Sequence, residues 1–112
     1  MQEQLVEQWK PIKDYDGFYD ISNFGNIFSL RSNRILKTFN DINGYLTINL
    51  YNKLSTQRIH RVHHLVWDHF GDQPRNGRKL QVDHKDEDKT NSRIDNLQLL
   101  SCRNNVSKSK RV

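Results

Sequence analysis

Turn-forming residues punctuate the first half of this chain, and the segments between and after them read as strands. Asp16-Gly17, Asn23-Phe24-Gly25 and Asn43-Gly44 supply the left-handed and side-chain-bonded geometries that tight turns need. The intervening segments are rich in aromatic and β-branched residues. Residues 18–21 and 26–30 therefore read as short strands, and residues 34–37 as a further candidate. After Asn43-Gly44, Leu46, Ile48 and Leu50 alternate with more polar positions across residues 45–51, the pattern of a half-buried strand leaving a tight hairpin.

The period then changes. Ile59, Val62, Leu65, Val66 and Phe70 follow helical spacing, and Gly71 stands where such a helix would stop. A Pro/Gly/Arg-rich loop over residues 72–79 leads to a short strand at 80–82, a polar loop at 85–95 and a second strand at 97–100. Ser101 is placed to cap a final helix running through Asn105 towards Ser109. The expected class is α+β, with a small antiparallel β-rich module over residues 9–55 and a helix followed by strand–loop–strand–helix within 56–112.

With 112 residues, 34% of them hydrophobic, and a mean hydropathy of −0.93, the core must be thin. A chain this size buries roughly 60–65% of its unfolded surface, so large rings matter, and Trp9, Tyr15, Tyr19 and Trp67 read as core anchors. No run reaches the ~18 apolar residues of a membrane span, and the N-terminus lacks a secretory apolar stretch. The single cysteine, Cys102, excludes an internal disulfide framework and a multi-cysteine zinc site. The expectation is a soluble cytoplasmic protein.

The net charge of +5 is unevenly spread. Residues 1–30 hold two basic side chains against five acidic ones, a net of −3, whereas residues 31–112 hold sixteen against eight, a net of +8. That asymmetry points to a polyanion facing the later part of the chain, since phosphate neutralisation with counterion release drives nucleic-acid binding.

The chemistry concentrates in the last third. Asp83-His84 closes a strand, Asn96 precedes the next, and Asn105 falls one turn into the helix after it. In a strand–loop–strand–helix hairpin, the end of the first strand and the start of the helix can face each other. Oxygens from Asp83 and Asn105 could then share a hard cation such as Mg²⁺, which prefers oxygen ligands and keeps several waters. His84 points to the opposite side of the strand, and histidine's ordinary pKa of about 6.5 suits a base that takes a proton from water.

The segment from Val82 to Ser107 resembles the HNH endonuclease motif, in the variant of phage and intron-encoded homing endonucleases. The matching residues are Asp83-His84, Asn91, Asn96-Leu97 and Asn105, and the upstream RIHRVHHLVWDHF resembles the preceding helix of that group. Trp9, Pro11, Ile12, Tyr15, Gly17, Tyr19, Ile21-Ser22-Asn23, Gly25 and Ser29 resemble the nuclease-associated modular domain found at the N-terminus of such enzymes. The resemblance implies a C-terminal ββα-metal finger. It implies one divalent ion, Mg²⁺ or Mn²⁺, on Asp83 and Asn105, His84 as general base, and Asn96 pinning the loop and helping to hold His84. Products would carry 5′-phosphate and 3′-hydroxyl ends. The family's final histidine is Asn105 here, a neutral oxygen ligand that favours a hard ion over zinc; Asn104 is a one-residue alternative. Asn91 reads better as a loop-shaping residue than as a ligand.

His60, His63, His64 and His69 fall on the expected helix, and His60 with His64 has zinc-protease spacing. Arg61 stands where that motif needs its Glu, and a third ligand is missing. Candidate contacts to the DNA backbone are Arg58, Arg61, Arg78, Lys79, Arg103, Lys108 and Lys110, with Arg75 and Arg111 as further basic neighbours; such contacts place a substrate without reading its sequence. The expected partner is double-stranded DNA, for a phage-encoded protein in a bacterial host. One site nicks one strand, so a double-strand break needs a homodimer, a protein partner or successive nicks. A binding module that keeps the fold without cleaving, and an RNA-directed activity, remain competing classes. The chain runs about one helix past the site, which sets an expectation of weak sequence specificity.

Overall fold

The computed structural model describes residues 5–15, 17–76 and 79–101. The first four strands form an antiparallel meander: β1 (Trp9–Pro11), β2 (Tyr19–Ser22), β3 (Ile27–Ser29) and β4 (Arg34–Ile35), hydrogen-bonded in that order. Ile21 and Ile27 pair across β2 and β3 and are fully buried. The turn between them is tied by Ser22, whose hydroxyl accepts from the Phe24 and Asn26 amides at 3.2 and 3.1 Å. Gly25 takes φ +91°, the left-handed region closed to most side chains. The strand expected at 18–21 is present one residue later, at 19–22, and those expected at 26–30 and 34–37 are shortened to 27–29 and 34–35.

A second sheet orders β5 (Phe39–Asn40), β6 (Leu46–Tyr51) and β7 (Gln57–Arg61), all antiparallel. The alternation read in β6 holds: Ile48 and Leu50 are buried. β7 corrects the sequence reading, which placed Ile59 and His60 on a helix. Five register pairs with β6, from Thr47↔Arg61 to Tyr51↔Gln57, hold this segment extended. Ile59 is consequently 67% exposed, on the face away from the core. The helix α1 (Val62–Phe70) starts directly after β7 and buries Val62, Leu65, Val66 and Trp67.

Gly71 ends α1 as expected, but for a reason of space. Its φ is −73°, which any residue adopts; a Cβ there would lie 2.6 Å from the Trp67 ring and carbonyl oxygen. The Trp67 indole donates to the Gln73 carbonyl at 2.8 Å, so the chain must fold back tightly over that ring.

The last described elements are β8 (Leu80–His84), a 3-10 turn at Ile94–Asn96, and β9 (Leu97–Ser101), with β8 and β9 antiparallel. Ser101 ends β9, and the helix expected after it lies outside the described residues. One apolar cluster joins Ile12, Ile21 and Ile27 of the meander, Leu50 of β6, Val66 of α1 and Leu97 of β9. It draws on both sides of the boundary expected at residue 55, and the β6–β7 pairing crosses that boundary too. Tyr15, Tyr19 and Trp67 belong to the cluster. Trp9 does not: it is 39% exposed and meets the Phe28 ring edge-on at 6.4 Å, because β1 is the outer strand of its sheet. The class is α+β, and no helix among the described residues is long and apolar enough to cross a membrane.

Candidate active site

Asp83 and His84 are the last two residues of β8, so their side chains leave opposite faces of the hairpin. Asp83 lies directly across from Gln98 on β9, and its Oδ2 accepts from Gln98 Nε2 at 2.9 Å. That bond orients the carboxylate. His84 pairs with Leu97 and is buried at 4% exposure. The Glu87 amide donates to the His84 carbonyl at 3.0 Å, turning the chain sharply away with Glu87 at φ +65°.

The loop that follows is held by its own side chains. Asn96 accepts from the Asp86 amide at 3.2 Å, and its Nδ2 donates to Asp86 Oδ1 at 2.9 Å and to the Asn91 carbonyl at 2.8 Å. The Lys85 amide donates to the Asn96 carbonyl at 2.7 Å. Asp86 Oδ2 accepts from Asn91 Nδ2 at 3.0 Å, and Asp86 Oδ1 from the Asp88 amide at 2.8 Å. Hydrogen bonds from Asn91, from the Asp88 amide and from Asn96 hold the Asp86 carboxyl below the ordinary carboxylate range. Asp88 is lowered likewise, by the Thr90 hydroxyl and amide. Asn91 thus shapes the loop through Asp86, and the side-chain turns are made by Asp86 and Asp88. Sequence reasoning passed over Asp86, although the Asp-Glu-Asp-Lys-Thr run carries a local turn signal.

The N-terminal meander braces this loop from behind. Asn23, at 4% exposure, accepts from the Ile94 amide through its carbonyl at 2.8 Å. Its side chain binds the Gln8 amide and the Val6 carbonyl at 2.9 and 3.0 Å. A Cβ on Gly25 would lie 3.1 Å from the Ser92 Cβ, and Arg93 stacks over Phe24 at 4.3 Å. These contacts fix the 3-10 turn that presents Asn96.

Two further rings pack on His84, and a third, His64, joins them through His63. His63, from α1, lies 4.7 Å from it between centroids and stacks on Tyr45 at 5.1 Å and 24°. Tyr45 itself is 5.9 Å from His84, and His64 is 4.3 Å from His63. Burial first, then the neighbouring His64 and His84, pushes the His63 imidazole down to about 2. Burial, with Arg75 and Arg61 nearby, takes His64 to about 4. Both are neutral near pH 7. Among the described residues no group of three or more His, Cys, Asp or Glu side chains could hold a metal ion.

The remaining sequence candidates divide by place. Arg61 ends β7 with Nε 3.6 Å from Asp41 Oδ2 and its guanidinium 4.6 Å from the Tyr45 centroid, beside the His84 cluster. Arg58, three residues earlier on the same strand, faces the other way. It lines a cavity of about 400 Å³ with Lys13, Tyr15, His60 and His69 that includes neither Asp83 nor His84. There His60 is on β7, not on the helix as expected, and its Nε2 meets the Tyr15 hydroxyl at 2.9 Å. Arg75 is engaged by Asp68 through two bonds at 2.7 and 3.0 Å. Lys79 is exposed just before β8. Asn105, Asn104, Arg78, Arg103, Lys108, Lys110 and Arg111 lie outside the described residues.

A strand ending in Asp-His, an asparagine-locked loop and a returning strand match the first two elements of an HNH finger. The HNH endonuclease family model matches residues 60–107, and the NUMOD4 motif matches residues 7–51. The chain belongs to the HNH endonuclease family. It is 38% identical over 99 residues to DNA endonuclease I-HmuI of Bacillus phage SP01, covering 88% of this chain and 55% of that one. It is also 38% identical over 101 residues to H-N-H endonuclease F-TflI of Escherichia phage T5, covering 84% and 47%. The solved structure describing DNA binding and cleavage by the HNH homing endonuclease I-HmuI superposes with a TM-score of 0.83 at 36% identity, over 91% of this chain and 57% of that one. The chain spans about half the length of these relatives. HNH endonucleases are generally metal-dependent, and the Asp83 carboxylate, oriented by Gln98, is a hard oxygen donor of the kind a divalent ion takes.

Proposed function

We propose that this chain is a phage-type DNA endonuclease that hydrolyses phosphodiester bonds of double-stranded DNA, one strand per active site. The observation that carries the reading is the exit of Asp83 and His84 from opposite faces at the end of β8, above a loop locked by Asn96. A Mg²⁺ or Mn²⁺ ion held by Asp83 and Asn105 would supply positive charge to the scissile phosphate and the leaving 3′ oxygen. His84 takes the proton of the attacking water. Its ring is almost withdrawn from bulk solvent, so that water enters with the substrate. Packing against His63 and Tyr45 fixes the ring plane, and Asn96 keeps the loop closed so that the His84 carbonyl stays bonded to Glu87. Gln98 holds the Asp83 carboxylate in its rotamer. The products carry 5′-phosphate and 3′-hydroxyl ends.

Backbone phosphates of the duplex meet the basic side chains around the site: Arg61 and Lys79 near β8, Arg58 at the edge of β7, and Arg78, Arg103, Lys108 and Lys110. The chain works as two sequence modules, 9–55 and 56–112, in the cytoplasm of a bacterial host. A double-strand break requires a second site, from a homodimer, a protein partner or a second nick.

The test is conversion of supercoiled plasmid to open circles in the presence of Mg²⁺ or Mn²⁺, with His84→Ala alongside. Wild-type nicking that disappears in the variant is expected. Undiminished activity in His84→Ala would remove the assigned base. Retarded DNA with no nicking in either metal would leave a binding module in place of an enzyme.

A further inference from the structure

The hairpin joining β5 to β6 reaches across to the active-site loop. Its geometry is set by Asp41, whose Oδ1 accepts from the Asn43 and Tyr45 amides at 2.9 and 3.0 Å, while the Asp41 amide donates to the Tyr45 carbonyl at 2.8 Å. Gly44, at φ +88°, completes the turn. The rigid tip projects the Tyr45 ring against His63 and His84. Two cations converge on that ring from different parts of the chain: Arg61, from the end of β7, at 4.6 Å and Lys89, from the loop between β8 and β9, at 4.7 Å from the centroid. Lys89 is anchored further by donating to the Asn43 carbonyl at 2.9 Å.

Two like charges gathered on one ring repel each other, at some cost to the fold. The ring's negative faces offset part of that repulsion. Asp41, 3.6 Å from Arg61 Nε, offsets one of the two charges. The pair sits beside the face of the hairpin from which His84 emerges, through the Tyr45 ring 5.9 Å from it. A polyanion backbone would complete the balance.

We propose that Tyr45 is a positioning residue of the nuclease site, holding Arg61 and Lys89 as a cation pair that receives backbone phosphate of the DNA strand lying against His84. This rests on the endonuclease reading, and it adds a residue from the N-terminal module to the catalytic neighbourhood. Lys89 has no sequence signal for the role, since it lies 44 positions from Tyr45 in an otherwise acidic loop. Arg61 gains a specific partner in place of a general basic character.

Two measurements test it. The first is binding of a fluorescein-labelled random duplex, without divalent metal, across a salt series. Arg61→Gln and Lys89→Gln should each reduce the slope of log affinity against log salt by about one, the signature of one lost phosphate contact. Tyr45→Leu should weaken binding about threefold or more, and Tyr45→Phe, which keeps the ring face, should recover most of it. The second is plasmid nicking at saturating DNA, where Tyr45→Leu should lower kcat about tenfold, because misplaced phosphate costs rate even when bound. Unchanged slopes in both cation variants would overturn the proposal, as would equal losses in Tyr45→Leu and Tyr45→Phe. A loss in Tyr45→Leu that vanishes when compared at equal fraction folded would reduce the ring to a structural brace and also overturn it. Because the binding arm needs no cleavage, a chain that fails to nick would defeat the endonuclease reading while the slopes still decide the cation pair.

Discussion

Asn96 and Asp86 grip each other twice. Asn96 Nδ2 donates to Asp86 Oδ1 at 2.9 Å, and the Asp86 amide donates back to Asn96 Oδ1 at 3.2 Å. With the third bond to the Asn91 carbonyl at 2.8 Å, the amide side chain is committed to the loop. Both the oxygen and the nitrogen of the Asn96 amide are engaged by the loop.

Asn96→Ala should cost about 1–3 kcal/mol of stability, since it strips partners from polar groups around a residue only 9% exposed. Nicking should fall by more than the unfolded fraction explains, because His84 begins the same loop. Urea unfolding and plasmid nicking on one preparation check this. A variant as stable and as active as wild type would show the loop to be held elsewhere.

Gln98 acts on the carboxylate across the hairpin. Gln98→Leu should leave folding nearly unchanged but raise the Mg²⁺ concentration for half-maximal nicking by about ten- to a hundredfold, the usual effect of removing a group that orients a ligand. A metal titration of the rate reads it directly, and an unshifted midpoint would mean Asp83 needs no such help.

Gly71→Ala should destabilise the protein by about 1–3 kcal/mol through collision with Trp67, whose ring atoms would be 2.6 Å from the new methyl carbon. Backbone strain plays no part at φ −73°. Trp67 fluorescence during denaturation follows the change, and a neutral or stabilising outcome would show that the ring can step aside.

Acid should weaken the fold through His63. Burial first, then His64 and His84, holds its folded-state pKa at about 2, so the unfolded chain binds the extra proton once pH falls below about 6.5. Stability due to the neutral ring is full above that value and is lost as pH drops, at up to about 1.4 kcal/mol per pH unit. His64, held at about 4, adds to the same limb down to that pH. His63→Leu should flatten the stability curve between pH 6.5 and 4. Parallel curves for variant and wild type in urea midpoints would place the acid sensitivity in other groups.

Much of the site could be read in advance because its geometry is local. Asp83 and His84 are neighbours, Asn96 is thirteen residues from Asp83, and the turn residues around Gly25 and Gly44 report their own backbone demands. What the sequence hid depends on distant pairing. Ile59 shares a helical spacing with Val62, Leu65 and Val66, yet β6 offers residues 57–61 a ladder, and five pairings outweigh the spacing. Trp9 looked like a core ring and lies on an outer strand, because sheet order is not written in composition. The Tyr45 contacts with Arg61 and Lys89 join three segments that only the folded chain brings together.

β7 ends at Arg61 and α1 begins at Val62, with no spacer residue between them. A strand fused to a helix in this way turns as one piece, like a crank. Any twist imposed on the three-stranded sheet is delivered to the first turn of α1, where His63 leans on His84. How the sheet is seated and how the His84 ring is aimed are therefore one mechanical variable.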